Sequence, residues 1–236
     1  MKGNSLISAL LVSACLVVTG GCGLRQTDIS VDTDAIPASG VGELVVPAED
    51  SEEASLGNYR ISDSGIKLYY DDQKYSDDVI LALEKYFLSF EHGDFDTYKS
   101  MLLPSYAEKM EAYLQENYNY GLEHSFESQC NNLKELAKGD DYTITRIRVT
   151  SLEDEAEETG TAEPTTDENY DPFAGFFESL DSIFETDYYE AVKKECDSMD
   201  ILLFSVMTKA GEEENLSISD YEIVFAEKNG NYYTFG

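Results

Sequence analysis

Few residues in this chain have both the type and the spacing for chemistry. Asp167, Asn169, Asp171 and Glu178 fall at positions 1, 3, 5 and 12 of a calcium-binding loop, where their oxygens would converge on one cation. The sixth position of such a loop turns through the left-handed region and calls for glycine. Here Pro172 stands there and locks φ near roughly −65°. No helical pattern precedes the segment, so it reads as an acidic loop meeting a helix start, and no metal or other cofactor is expected. His92 and His124 are the only histidines, and neither stands in a zinc spacing. There is no G-x-S-x-G, no phosphate-binding glycine loop and no dinucleotide fingerprint, so no catalytic residue is assigned. Tyrosine is abundant instead. Tyr86, Tyr98, Tyr106, Tyr113 and Tyr118 recur along helical stretches and read as core and pocket wall, with Tyr86, Tyr98 and Tyr113 the candidate ligand-pocket residues.

The cysteines divide by position. Lys2 opens the chain with a positive charge, and Leu6 to Val18 is an apolar run too short to span a bilayer comfortably. It ends in Thr19-Gly20-Gly21-Cys22. This resembles a bacterial lipoprotein signal, an aliphatic residue and two small ones before Cys. Gly20, Gly21 and Cys22 match, while Thr19 replaces the preferred leucine. Val12-Ser13-Ala14-Cys15 fits the four-residue pattern better, but it shortens the apolar run and strands Leu16-Val17-Val18 beyond the cut. Cys22 is therefore the preferred lipidation site and Cys15 the alternative; an ordinary cleaved signal with an incidental cysteine is the third reading. The resemblance implies removal of residues 1–21, acylation of Cys22 by palmitate-like chains, and a domain anchored on the outer face of the cell membrane. Two acyl chains meet the requirement for stable anchoring. Cys130 and Cys196 remain, both on helix faces expected to be buried. An exported chain permits a disulfide between them, and two free thiols are the equal alternative. Neither has a histidine nearby to make it a catalytic thiolate.

The charge of −32 on 236 residues excludes a phosphate-neutralising surface, so nucleic acid is not a partner. Adhesion of the protein surface to anionic lipid is opposed for the same reason. Residues 22–57 are rich in Ser, Ala, Gly, Pro and acids, hold no sustained period, and are expected to be a disordered linker. Residues 58–236 are expected to form one α+β domain, interrupted by the acidic insertion 152–171.

Within that domain the organising stretch is Ser76 to Gly93. Val79, Ile80, Leu83, Tyr86, Phe87 and Phe90 recur at helical spacing, Ser76 or Asp77 can cap the start, and Gly93 can end it. Further helices are predicted at Phe95–Leu103, from Ser105, at Phe126–Lys138, and from Phe173 to Ser198 with a break at Thr186-Asp187. The period then turns to two. Tyr142–Val149 and Leu216–Glu227 each change parity midway, which predicts β-bulges near Thr145-Arg146 and Ser219-Asp220. Ile201–Met207, apolar on both faces, is the expected central strand, and Asn229-Gly230 is a hairpin signal leading to Tyr232–Phe235. A small hairpin around Asp63-Ser64-Gly65 is expected to lead into the domain.

The run YFLSFEHGDFDTYKSMLLPSY, followed by helices, a late block of strands and a terminal GNYYTFG, resembles the nuclear-transport-factor-two-like superfamily over about Tyr75 to Phe235. That resemblance implies a cystatin-like cone, in which a curved antiparallel sheet of about four strands packs against N-terminal helices. Members are often dimeric through the sheet, so a dimer is implied too. Catalysis in the superfamily uses a Tyr with an Asp or His inside the cone, and no residue here matches that pattern position by position. The expected function is an extracytoplasmic binding or interaction domain for an unidentified small molecule or envelope protein, without catalysis. The alternatives are a small lyase, isomerase or hydrolase using the cavity, and a structural envelope component.

Overall fold

The computed structural model describes residues 40–150 and 171–236. Cys15, Cys22, Asp167 and Asn169 lie outside the described residues, as do the expected signal, the first part of the expected linker and nearly all of the acidic insertion.

The helix beginning at Ser76 sets the rest in place. Asp77–His92 (α1) starts where the Ser76 hydroxyl accepts from the Val79 amide, with Asp77 and Asp78 in the first turn where the helix dipole favours acids. It stops at Gly93, whose φ of 65° lets its N–H return to Phe90 and Ser89 carbonyls. Val79, Ile80, Leu83, Tyr86, Phe87 and Phe90 are all buried, and each such apolar side chain contributes about 1.5–3 kcal/mol. Phe95–Met101 (α2) follows with Asp94 as its cap, then Pro104–Tyr118 (α3) and Leu122–Ala137 (α4).

The sheet has seven strands in sequence order: Val41–Val45 (β1), Tyr59–Ser62 (β2), Lys67–Tyr69 (β3), Tyr142–Thr150 (β4), Ser198–Ala210 (β5), Glu213–Lys228 (β6) and Asn231–Thr234 (β7). β3 and β4 are parallel and the other pairs antiparallel. Ala174–Phe184 (α5) and Tyr188–Glu195 (α6) lie between β4 and β5. This corrects the expected fold of about four antiparallel strands packed on N-terminal helices. The sheet is mixed, three strands precede the first α-helix, and two helices follow β4. The reason is physical. A three-residue strand such as β3 is too short to show a period, and its partner β4 arrives only after four helices, an excursion long enough for a parallel crossover. Val41–Val45, within the stretch that reads as linker, pairs with β2, and residues 52–56 form a 3-10 turn over the sheet.

Both parity changes are bulges. In β4, Ile144 opposes Thr208 and Arg146 opposes Met207, leaving Thr145 extra. The Ile144 amide donates to Glu91 Oε2 at 2.6 Å, so the end of α1 satisfies the interrupted ladder. In β6, Ser205 faces both Ser219 and Asp220, and Asp220 takes a φ of 50°. A second irregularity at Ser217 is not visible in the sequence. It places Ser217 inside, hydrogen-bonded to Thr208 at 2.7 Å, and leaves Leu216 55% exposed. A bulge near Ser219-Asp220 is expected to bury Leu216 and Ile218 together with Tyr221, Ile223 and Phe225; Ile223 and Phe225 are buried, whereas Leu216 turns out and Tyr221 stays 54% exposed. Bulges bend a strand and raise its twist. The concave face carries Ile147, Val149, Leu202, Phe204, Val206 and Ile223, and Phe204 meets Phe87 of α1 with centroids 5.1 Å apart.

Two polar ties fix the remaining elements. Fully buried Glu84 of α1 accepts from the Ser62 hydroxyl, which accepts in turn from the Ile66 amide across the β2–β3 turn. Ser105 donates to Glu195 at 2.8 Å, and Lys228 donates to the same carboxylate, joining α3, α6 and β6.

Phe87→Ala should lower stability by about 3–5 kcal/mol. Urea unfolding checks this: the midpoint should drop with little change in slope. A loss under about 1 kcal/mol would show that the ring does not hold the helix to the sheet.

Candidate functional site

Helices α1 to α5, with β5 and bulged β6, line an aromatic cavity of about 600 Å³, open on one side. α1 supplies Tyr86, Phe87 and Phe90, and α2 supplies Tyr98. α3 supplies Tyr106, Tyr113 and Tyr118. Phe204 of β5, Tyr221 and Ile223 of β6, and Phe235 complete the apolar wall. Helical spacing puts the first set on one side, and the β6 bulges turn Ser217, Ser219 and Tyr221 toward the other. Ring contacts run continuously through the cluster: Tyr86 meets Phe90 edge-on at 4.9 Å, and Phe204 meets Tyr221 at 5.9 Å. The volume falls within the range of about 300–1,000 Å³ usual for small-molecule sites.

Polar groups are sparse and almost all uncharged. Ser125, Gln129 and Asn132 come from α4, and Ser217 and Ser219 from β6. Among the described residues no Lys, Arg or His lines the cavity, and Glu135, exposed at the rim, is the one carboxylate side chain in its lining. Tyr118, Leu136 and Tyr221 leave apolar surface exposed at the mouth.

Burial governs the phenols. It drives the Tyr86 hydroxyl well above the usual tyrosine range, with Tyr98, Tyr221 and Tyr106 adding smaller pushes. Tyr106 is raised in the same way. Tyr98 is pushed up to about 12 by burial, against a hydrogen bond with Gln129. All three stay protonated at neutral pH. They are hydrogen-bond donors and acceptors, not bases.

The structure brings Tyr86, Tyr98 and Tyr113 to this one cavity. Tyr106 and Tyr118, which the sequence reads as core and pocket wall, belong to the same lining, as do Gln129, Phe204 and Tyr221; of these last three, only the parity change before Tyr221 marks its place in the sequence. The other candidates lie elsewhere. Cys130 is buried on α4 and Cys196 is half-buried at the end of α6, and both are free thiols, so the permitted bridge is absent. Burial lifts each to about 11, which keeps them unreactive at neutral pH. Asp171 is exposed and accepts from the Tyr189 hydroxyl and the Phe173 amide, while Glu178 is exposed on α5. Among the described residues no three His, Cys, Asp or Glu gather as metal ligands. His92 sits in the last turn of α1 beside Glu91, and His124 packs on Tyr120 outside the cavity.

A second hollow of about 480 Å³ lies by β2, β3 and β4, lined by Arg60, Tyr69, Asp71, Asp72, Arg148 and Asp220 among others. Its charges are of both signs, and Arg60 is paired with Asp72 at 3.2 Å. The aromatic cavity is the better-built site.

The raised phenols fix a pH dependence. An unfolded tyrosine loses its proton near about pH 10, before the buried ones in the folded chain. The folded state then holds more protons, so stability present below about pH 10 is lost as pH rises above it. Phenolate absorbance should show Tyr86, Tyr98 and Tyr106 ionising only with unfolding. A single titration of all tyrosines near about pH 10 in folded protein would contradict this.

Compared with known proteins, the chain matches no family model, no curated protein and no solved structure.

Proposed function

We propose that this protein is a binding domain for a small apolar molecule held in the aromatic cavity, and that it does so without catalysis, displayed outside the cell membrane on a lipid at Cys22. The observation that carries the binding reading is the cavity itself. It is a concave, mainly apolar hollow of about 600 Å³ opening among the chain's largest rings, the kind of site that holds small molecules. Its open side coincides with exposed Tyr118, Leu136 and Tyr221, the apolar rim through which such a ligand would enter. The phenols beside it are held neutral, and its one carboxylate side chain among the described residues sits at the rim, so the described lining pairs no nucleophile with a base. The membrane address rests on the Gly20-Gly21-Cys22 pattern behind the apolar run Leu6–Val18.

The uncharged fluorophore N-phenylnaphthylamine should bind at one site per chain. Ser125→Phe, which puts a ring into the cavity from half-exposed α4, should weaken it at least about tenfold at unchanged Tm. Equal binding by both proteins, or none by the wild type, would contradict the reading. The address has its own check. A palmitate analogue fed to the producing cells should label the wild type and not Cys22→Ala; unchanged labelling of that variant would remove the Cys22 assignment and point to Cys15.

A further inference from the structure

The second hollow, beside β2, β3 and β4, has charged groups of its own that the chain leaves unmatched. Arg60 and Arg148 both line it. Arg60 is engaged, donating to Asp72 at 3.2 Å and to the Gly42 carbonyl. Arg148 is half-buried and makes no hydrogen bond or ion pair among the described residues. Tyr69, its partner in the β3–β4 register, lines the hollow beside it, and the Tyr69 hydroxyl is buried without a partner. Buried polar atoms are nearly always paired, and a cation partly removed from water favours an anion beside it. The acids of the lining divide in the same way. Asp72 holds Arg60, and Asp71 accepts from the Gln73 amide within its own turn. Asp220 stands at the β6 bulge with a φ of 50°, uncommon for a residue with a side chain. Its amide donates to the Ser205 hydroxyl at 3.1 Å, which fixes the bulge, and bulges re-aim side chains. Ser205 is the β5 residue opposite Arg148. Arg148 and Asp220 therefore flank one residue of β5, line the same hollow, and form no ion pair with each other.

We propose that this hollow is a second binding site, for a small zwitterion such as a free amino acid or short peptide, with the carboxylate on the Arg148 guanidinium and the ammonium on the Asp220 carboxylate. The planar fork of an arginine matches a carboxylate in two parallel hydrogen bonds. A simple anion would meet a lining of two arginines and three aspartates, in a chain of net charge −32. A simple cation would leave Arg148 as it stands. A net-neutral molecule carrying both charges is not repelled by the chain as a whole, and it pairs with both groups. The volume of about 480 Å³ lies in the range of about 300–1,000 Å³ usual for small-molecule sites. The Tyr59 and Tyr69 rings, centroids 5.0 Å apart, give the rest of the molecule an apolar wall. No residue of this lining belongs to the aromatic cavity, so the two sites are tested separately.

Calorimetric titration with alanine and with alanyl-alanine tests this, and the tighter of the two tells whether a free amino acid or a peptide is the source. Two blocked dipeptides serve as comparisons. N-acetyl-alanyl-alanine keeps only the carboxylate, and alanyl-alanine amide keeps only the ammonium. Each should bind the wild type at least about tenfold more weakly than alanyl-alanine. Arg148→Gln should erase the advantage of the free dipeptide over its amide. Asp220→Asn, in which asparagine tolerates the positive φ, should erase its advantage over the acetylated form. Both variants should keep the wild-type Tm and bind N-phenylnaphthylamine as the wild type does. The inference is overturned if the wild type binds neither alanine nor alanyl-alanine, or if either blocked dipeptide binds it as tightly as the free one. Those two outcomes need no variant to fold. It is overturned too if both variants bind the free dipeptide as the wild type does. Each of these results leaves the aromatic-cavity reading untouched, because that reading stands or falls with N-phenylnaphthylamine alone.

Discussion

Phe87 of α1 and Phe204 of β5 meet near the centre of the molecule, their ring centroids 5.1 Å apart. The contact requires a buried helix and a bent sheet together. α1 is apolar over a wide face and needs cover on more than one side. A straight sheet would meet it along one line only. The extra residues at Thr145, Ser217 and Ser219-Asp220 bend β4 and β6, and the concave face can then accept the helix. Glu91 accepting from the Ile144 amide shows how closely the two are matched, because a helix side chain satisfies the donor that the bulge would otherwise leave unpaired.

The cavity is a consequence of the same geometry. Where α1 touches the sheet the rings close on one another. Toward α3 and α4 the bent β6 carries Ser217 and Ser219, small residues, and Tyr221, more than half exposed. Large helix-borne rings on one side face small strand-borne residues on the other, and a space remains. Glu84 bonded to Ser62 holds the opposite flank of α1 to the β2–β3 turn, so the helix is not free to settle inward and fill it. A fully buried carboxylate is an expensive way to fix a helix, and its placement argues that the position of α1 matters.

Much of the local structure was legible. Ser76 and Gly93 bound α1 through side-chain and left-handed caps, and Asn229-Gly230, at φ of 54° and 73°, joins β6 to β7. The parity changes near Thr145 and Ser219-Asp220 revealed bulges, because a strand with one buried face cannot slip by one residue without exposing its apolar set. What was not legible lies in long-range pairing. Lys67–Tyr69 is too short to show a period, and nothing local says that it lies parallel to Lys67's partner Arg146, far along the chain. Val41–Val45 has Leu44 half exposed and Val46 following it in the open, so its composition reads as linker. At Ser217 a hydroxyl turns inward to a buried Thr208, a pairing no hydrophobic pattern can announce. The site divided the same way. Tyr86, Tyr98 and Tyr113 could be picked from helix faces, whereas Phe204, Tyr221 and Gln129 join them only once the sheet and α4 are in place.

The central claim is that this cavity, and not the charged hollow beside β2 and β3, is where the protein binds apolar molecules. Ring-selective NMR of tyrosine and phenylalanine during titration with an uncharged apolar ligand tests it most directly. Shifts should gather at Tyr86, Phe90, Tyr98, Tyr106, Phe204 and Tyr221, all in the cavity wall, and leave Tyr59, Tyr69 and Tyr70 unmoved. Movement of the second set alone, or an unchanged spectrum at saturating ligand, would contradict the account.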